Sequence, residues 1–289
     1  MNNKFQIAID AGKHFIKSIM KEGEVIHRVL FRNKVQEVDS LGAELSPNSY
    51  KIQFEGKTYL LGDMLPEERT SFDLSKNSFE HILSIYVAIT QLLLKSKQSI
   101  GLANIYLAVN IPVSLYKNEE HKFAFQEAIR RNGEPICIAV SGKTFAFKLQ
   151  SVLLLPEAIG PTYLNTNEFR NKKILVMDIG SLNTSFMEID RLVPKFDRMV
   201  SSNLGVNVMR ARLADTLTTK YGINITDDDC EIIFRDKYLI IAGQKREDSR
   251  EIIEKLFSEH VAEIVNFAKS RKISFNNLEI LLVGEEAYY

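Results

Sequence analysis

The chain has 289 residues, enough for two domains that each bury a core. Hydrophobic residues make up 45% and charged residues 26%, and 37 basic side chains balance 37 acidic ones. This is the composition of a soluble globular protein, and it excludes a global field that would draw nucleic acid or anionic lipid, so no direct nucleic-acid contact is expected. Phe5–Ile9 alternates polar and apolar residues, which predicts a strand. A second strand is predicted over Phe15–Met20, and Glu22-Gly23-Glu24 supplies a hairpin turn into a third over Val25–Phe31. Residues 33 to about 75 read as an insertion with one hairpin, Tyr50–Phe54 and Lys57–Gly62 around Glu55-Gly56. From Ser78 to Lys95 the residues Phe79, Ile82, Leu83, Tyr86, Val87, Ile89 and Leu93 fall at helical spacing.

Ile105–Val109 is a strand, and Pro112 forbids its continuation as a central strand. Glu119–Arg131 is a helix stopped by Asn132-Gly133. Strands follow at Ile136–Val140, Thr144–Leu149 and Val152–Leu155, and Pro156 opens a further helix from a tolerated first-turn position. The polar stretch Asn165–Lys173 marks the domain boundary and divides the chain into 1–166 and 167–289, with an insertion subdomain at about 33–95. The second half repeats the order of the first: strand 174–178, a turn, strand 185–190, a strand near 196–201 and a helix at about 206–221. Arg246–Ser270 is a long, charged amphipathic helix, and Leu278–Val283 is the last strand.

Cys137 and Cys230 are too far apart for a metal knuckle or a disulfide framework. Cys137 lies in the apolar run Ile136-Cys137-Ile138-Ala139-Val140 and reads as a buried small hydrophobe. Met1-Asn2-Asn3-Lys4 leads directly into a strand with no signal peptide. The longest apolar stretch, Ile82 to Leu94, is interrupted by Ser84, Thr90 and Gln91 and is too short to span a bilayer. A cytoplasmic location without membrane contact is the expectation. Gly-Lys-Thr occurs at Gly56–Thr58 and Gly142–Thr144, but Lys51 and Cys137 stand where a P-loop needs its first glycine, so both are hairpin turns. The cluster Lys269-Ser270-Arg271-Lys272 ends a helix, which the helix dipole explains.

Two segments are copies of one device. Ile7-Ala8-Ile9-Asp10-Ala11-Gly12 and Leu175-Val176-Met177-Asp178-Ile179-Gly180 are each an apolar strand that ends in aspartate and turns on glycine. One such aspartate reads as a turn cap. Two in matched settings point to similar half-molecules that present carboxylates and backbone N–H groups to a nucleotide phosphate tail with its Mg²⁺. Asp10 and Asp178 suit Mg²⁺ held through its water shell. Gly12 and Gly180 let N–H groups approach phosphate oxygens, and Ser181 and Thr184 add hydroxyl donors.

Taken in order, Asp10-x-Gly12 with Lys17, Asp178-Ile179-Gly180-Ser181 with Thr184, Asn203-Leu204-Gly205, and Leu281-Leu282-Val283-Gly284 resemble the phosphate 1, phosphate 2, connect 2 and adenosine motifs of the actin/Hsp70/sugar-kinase superfamily. Phe54-Glu55-Gly56-Lys57-Thr58-Tyr59 with Gly62, Ile111-Pro112-Val113-Ser114-Leu115-Tyr116-Lys117, and Pro156-Glu157-Ala158-Ile159-Gly160 narrow the resemblance to bacterial actin-like proteins of the plasmid-segregating ParM/StbA type. It covers nearly the whole chain. It implies an α/β, actin-like ATPase fold of two RNase H-like domains flanking a nucleotide cleft. It further implies ATP or GTP with Mg²⁺, head-to-tail self-assembly into filaments, and hydrolysis that turns them over. The implied partner is a DNA-binding adaptor on a centromere-like site, in plasmid or other DNA segregation.

The resemblance assigns catalysis to Glu157, which orients the attacking water, with Asp178 and Asp10. It assigns nucleotide binding to Gly12, Lys13, His14, Lys17, Gly180, Ser181, Leu182, Asn183, Thr184, Gly205, Gly284 and Glu285. Without it, Glu157 is a first-turn glutamate favoured by the helix dipole, Lys17 orders its hairpin and His14 faces solvent. The alternative function is a non-polymerising nucleotide switch or small-molecule kinase of the same superfamily. A membrane-associated division actin would need a terminal amphipathic helix, and neither terminus offers one. The sequence departs from the family pattern at Gly12-Lys13-His14, where serine or threonine usually follows the glycine, and at Gly284-Glu285-Glu286-Ala287, where a second glycine is usual. The family's C-terminal helix, which returns to the first domain, is expected to be lacking from 167–289.

Overall fold

The computed structural model describes residues 3–39, 44–66, 78–98 and 101–284. The chain divides into two compact units, Met1–Glu157 and Ala158–Tyr289, a division that falls before the polar stretch at Asn165–Lys173.

Unit 1 opens with an antiparallel meander of β1 (Lys4–Ala11), β2 (Phe15–Glu22) and β3 (Val25–Arg32). β4 (Val35–Glu37), β5 (Ser49–Phe54) and β6 (Lys57–Gly62) follow, then α1 (Phe79–Lys95), β7 (Ala103–Ile111), α2 (Val113–Tyr116), α3 (Glu119–Arg130), β8 (Ile136–Val140) and β9 (Lys143–Pro156). Nine strands share one sheet in the order β3-β2-β1-β7-β9-β8-β5-β6-β4. Alternation drives this arrangement: Phe5, Ile7, Ile9 and Ala11 of β1 point inward, and Gln6, Ala8 and Asp10 point outward. α1 begins at Ser78, whose hydroxyl accepts the His81 N–H at 3.3 Å. Its Leu83, Tyr86 and Val87 join Ile105, Leu107 and Phe147 in the core, each such burial worth roughly 1.5–3 kcal/mol.

Unit 2 contains α4 (Gly160–Leu164), α5 (Thr166–Phe169), β10 (Lys173–Ile179), β11 (Thr184–Asp190), β12 (Val193–Ser202), α6 (Val206–Tyr221), α7 (Asp227–Asp236), β13 (Leu239–Ile241), β14 (Gln244–Arg246), α8 (Ser249–Ser270) and β15 (Glu279–Val283). Its main sheet runs β12-β11-β10-β15, and β13–β14 is a separate hairpin. Leu175, Met177 and Phe186 of the sheet pack on Ile264 and Ala268 of α8. A second cluster joins Val206, Met209 and Leu213 of α6 to Phe234 of α7 and Ile253 of α8.

Several expectations are corrected. The strands expected at Thr144–Leu149 and Val152–Leu155 are one strand, β9, with a register shift opposite Ile105/Tyr106 where Gln150 is the extra residue. No helix starts at Pro156: β9 carries that residue, Glu157 and Ala158 form a turn with Ala158 at φ 67°, and α4 starts at Gly160, with Pro161 in its first turn. Cys137 is exposed rather than buried, because strand alternation sends Ile136, Ile138 and Val140 inward and Cys137 outward. The long helix starts at Ser249 because Gln244–Arg246 pairs in the hairpin. β4, α7 and the β13–β14 hairpin were not anticipated. Both Gly-Lys-Thr segments are hairpin turns, with positive φ at Glu55-Gly56 and Ser141-Gly142.

Candidate functional site

In unit 1 the candidate residues gather where β1 ends. β1 pairs antiparallel with β2, which sets Asp10 opposite Lys17, and the Lys17 Nζ lies 3.8 Å from Asp10 Oδ2. On its other side β1 runs parallel to β7, and Asn110 follows the last paired residues Ile9 and Val109. The Asn110 side chain donates to Asp10 Oδ1 at 2.5 Å and accepts the Ala11 N–H at 3.0 Å, which fixes the carboxylate at the strand end. Gly12 is required by a close approach: a Cβ there would lie 2.6 Å from the Phe15 carbonyl oxygen. The turn is then tied down by Asn33. Its amide donates to Gly12 O at 2.7 Å, its carbonyl accepts from Ser84 Oγ at 2.7 Å, and its backbone N–H donates to His14 O at 2.9 Å. Lys13 is largely buried, and the His14 ring lies against Phe15.

Glu157 stands past the end of β9, with its N–H donating to Ile111 O at 2.9 Å. β1, β7 and β9 are adjacent and parallel, so Asp10, Asn110 and Glu157 share one edge of the sheet. Two strand spacings separate the backbones of Asp10 and Glu157, roughly 10 Å. Ligands of open α/β sheets bind at these carboxyl ends.

Unit 2 builds its turn differently. Asp178 pairs with Ser185 of β11 and with Val283 of β15. The Gly180 N–H donates to Asn183 O at 2.9 Å and closes the turn Ser181-Leu182-Asn183. The start of α6 then clips it: the Val206 N–H donates to Gly180 O at 3.1 Å and the Asn207 N–H to Ser181 O at 2.9 Å. Gly205 makes that contact possible, since a Cβ would lie 2.3 Å from Leu182 C and 2.4 Å from Ser181 O. Thr184 is buried and its hydroxyl donates to Leu204 O at 2.7 Å, so it serves the turn itself. Asn183 Nδ2 donates to Ser185 Oγ and Ser201 Oγ at 3.2 and 3.0 Å. Gly284 sits at φ 116°, and a Cβ there would lie 2.2 Å from Ile179 O and 3.1 Å from Asp178 Oδ1. Glu285 lies outside the described residues.

The donor set fits a phosphate with a hydrated divalent cation. No hydrogen bond among the described residues takes the N–H of Ser181 or Leu182, so the turn keeps donors for an anion. No cluster of three or more His, Cys, Asp or Glu residues that could hold a metal occurs among the described residues. A strand-end carboxylate on such a turn suits Mg²⁺, which keeps several waters and binds through one or two carboxylates and phosphates. Asn33 and Asn110 were missed at the sequence level. Asn110 offered a faint signal, an amide on the outward row of a strand about to end at proline; Asn33 offered none.

A family model described as "Actin like proteins N terminal domain" matches residues 8–160, more than half of the chain. No curated protein matches the sequence. The archaeal actin homolog Ta0583 has a similar structure, with TM-score 0.80 and 14% identity over 98% of this chain and 88% of its own. The same homolog in complex with ADP gives TM-score 0.74 at 14% identity, over 97% and 86%. The Alp12 filament structure gives 0.71 at 24% identity, over 99% and 88%. The 15-stranded ParM filament from Clostridium botulinum gives 0.72 at 18% identity, over 100% and 90%. These likenesses establish the actin-like fold expected from the sequence.

Proposed function

This chain belongs to the actin-like proteins, and on that footing we propose that it is a nucleotide-dependent filament protein. It binds ATP or GTP with Mg²⁺, assembles head to tail, and hydrolyses the nucleotide to turn the filament over. The observation that carries this reading is the duplication. In each unit a hairpin closes on Asp-x-Gly while a parallel strand flanks the aspartate, so one carboxylate turn is built twice.

Asp178, and Asp10 braced by Asn110, hold Mg²⁺ through water. The N–H groups of Ser181 and Leu182 and the Ser181 hydroxyl take phosphate oxygens, with Asn183 and Thr184 fixing the turn. Gly12, Gly180, Gly205 and Gly284 keep the backbone close to the phosphates and nucleoside. Lys13, His14 and Lys17 place positive charge and N–H groups around the first turn. The bound nucleotide supplies the terminal phosphoryl group that passes to water. Glu157 orients that water, the main task left to protein in phosphoryl transfer.

The ADP complex of Ta0583 and the filaments of Alp12 and ParM support nucleotide use and self-assembly. A head-to-tail contact between identical subunits does not close and so propagates. The balance of 37 basic and 37 acidic residues favours a DNA-binding adaptor over direct contact in plasmid or other DNA segregation. A cytoplasmic location completes the proposal; among the described residues no helix is long and apolar enough to cross a membrane.

Right-angle light scattering with Mg²⁺ and ATP or GTP, with phosphate release followed in the same cuvette, tests it. Scattering should rise with nucleotide, stay flat in Asp178→Ala, and persist without phosphate release in Glu157→Ala. Nucleotide binding without scattering at any concentration would sink the filament reading and leave a switch.

A further inference from the structure

Behind the Gly12 turn, unit 1 buries three polar side chains together: Asn33, between β3 and β4, and His81 and Ser84 of α1. The chemistry of its partners fixes which way round the Asn33 amide stands. Gly12 O can only accept, and it lies 2.7 Å from the amide nitrogen. The Ser84 hydroxyl donates to the amide oxygen at 2.7 Å, with Glu80 O a second acceptor at 3.0 Å. The other amide hydrogen then points to His81 Nδ1, 3.2 Å away. A ring nitrogen that receives it carries no proton, so the imidazole bears its hydrogen on Nε2.

The opposite arrangement has a definite cost. With a hydrogen on Nδ1, or with no acceptor at that position, the amide is free to turn over. Its nitrogen would then donate to Ser84 Oγ, whose own hydrogen has Glu80 O to go to. Its oxygen would accept from a protonated Nδ1. The loss falls on Gly12, whose carbonyl oxygen would give up its donor and face the amide oxygen instead.

We propose that His81 is a positioning residue for the first nucleotide-binding turn: its bare Nδ1 holds the Asn33 amide in the orientation that ties down Gly12 O. This rests on the nucleotide-binding reading of that turn. His81 acts through Asn33, whose backbone N–H also holds His14 O at 2.9 Å. One turn further along α1, Ser84 holds the amide oxygen, so the helix sets both ends of the amide. The turn keeps its shape for phosphate only while an acceptor stands where Nδ1 does.

Two substitutions separate this role from plain packing. His81→Leu keeps the space filled and removes the acceptor. His81→Asn restores one, since its side-chain oxygen stands two bonds from Cβ, as Nδ1 does. Titration with a fluorescent nucleotide and Mg²⁺ should show His81→Leu binding about tenfold more weakly, and His81→Asn recovering most of that loss. Urea midpoints on the same samples separate affinity from stability. Amide hydrogen exchange at Gly12, Lys13 and His14, in protein without nucleotide, should quicken in His81→Leu and slow again in His81→Asn. If the wild type binds no nucleotide, the functional reading falls, and exchange alone decides whether His81 holds the turn. In the wild type, nitrogen NMR of the ring in mildly alkaline solution should find Nε2 protonated and Nδ1 bare. A proton on Nδ1, unchanged exchange in His81→Leu, or a His81→Asn variant as defective as His81→Leu at equal stability would overturn the proposal.

Discussion

Units 1 and 2 build the same aspartate–glycine turn from different materials. In unit 1 side-chain amides do the holding: Asn110 braces Asp10, and Asn33 ties Gly12 and His14 to the Ser84 hydroxyl on α1. In unit 2 the backbone does most of it: the first N–H groups of α6 clip the turn, Gly205 and Gly284 close against it with no room for a side chain, and the Asn183 and Thr184 side chains add to the hold. The recurring requirement is therefore a strand-end carboxylate on a rigid turn. The route to rigidity is free to differ, and substitutions should divide along that line.

The largest effects belong to the glycines of unit 2. Gly205→Ala puts a Cβ within 2.5 Å of three backbone atoms of Leu182, Ser181 and Asn183, and backbone cannot step aside as a side chain can. A loss of about 3 kcal/mol or more is expected, with a matching fall in the urea midpoint. Gly284→Ala should behave alike, since its φ of 116° adds strain to the collision with Ile179 O. Gly222→Ala is the control. Its φ of 68° costs about 1 kcal/mol, but nothing lies within 4 Å of the new Cβ. Equal effects at Gly205 and Gly222 would mean that the close packing of Gly205 on the turn carries no weight.

Next come the amides of unit 1. Asn33→Ala takes the amide donor from Gly12 O, leaves the buried Ser84 hydroxyl with Glu80 O alone, and should cost about 2 kcal/mol. Asn110→Ala removes partners at the half-exposed strand end. It should cost less than about 1 kcal/mol in stability while weakening Mg²⁺-nucleotide binding severalfold. Thermal melts paired with titration of a fluorescent nucleotide separate the two. If Asn110→Ala lowers stability as much as Asn33→Ala and leaves binding alone, the brace on Asp10 is structural only.

How much of this the sequence disclosed follows from the range of each interaction. The strands around Asp10 and Asp178, the helix from Phe79 and the hairpin at Glu55-Gly56 were legible because alternation, helical spacing and turn chemistry are local. β4 has three residues and no pattern of its own; its partner β6 creates it. α7 could have been found, because Thr226 and Asp229 form a capping box. Cys137 was misplaced by weighing hydrophobicity over alternation, and Pro156 by weighing its tolerance in a first turn over the strand that pairs with β7. The two aspartates were legible because each precedes a glycine at the end of an apolar run. Asn33 and Asn110 were not, since the chain meets them far from the turn they hold and only the fold brings them there.

A smaller effect separates two buried histidines, one on the helix against each sheet. His81 of α1 lies 3.2 Å from the Asn33 amide, whereas neither ring nitrogen of His260 on α8 has a hydrogen-bond partner among the described residues. Burial, helped by the Arg212 charge, pushes the His260 pKa down from 6.5, so the fold keeps the ring neutral. The unfolded chain then binds the proton first. Stability from this group is complete above 6.5 and is lost as pH falls through 6.5 toward the lower folded value. Melting temperature should drop between roughly pH 7.5 and 5.5, and His260→Leu should flatten that slope. The carboxylates of Asp229 and Asp248, held below 3.8 by their Thr226 and Lys220 hydrogen bonds, lose their contribution only in more acid solution. An unchanged slope in His260→Leu would place the titration elsewhere.

The smallest expected effect on stability is at Lys17. Its ammonium lies 3.8 Å from Asp10, but the two side chains are 42% and 47% exposed, and water screens such a pair almost completely. Lys17→Ala should move the unfolding free energy by less than about 0.5 kcal/mol. That makes it the cleanest probe of the unit 1 turn, because a change in function there cannot be put down to a damaged fold. If Lys17 meets phosphate, Lys17→Ala weakens nucleotide binding, and the loss shrinks as salt is raised. If it only orders the hairpin, binding holds at every salt concentration. The charge around the first turn must then come from Lys13, which is largely buried, or from His14.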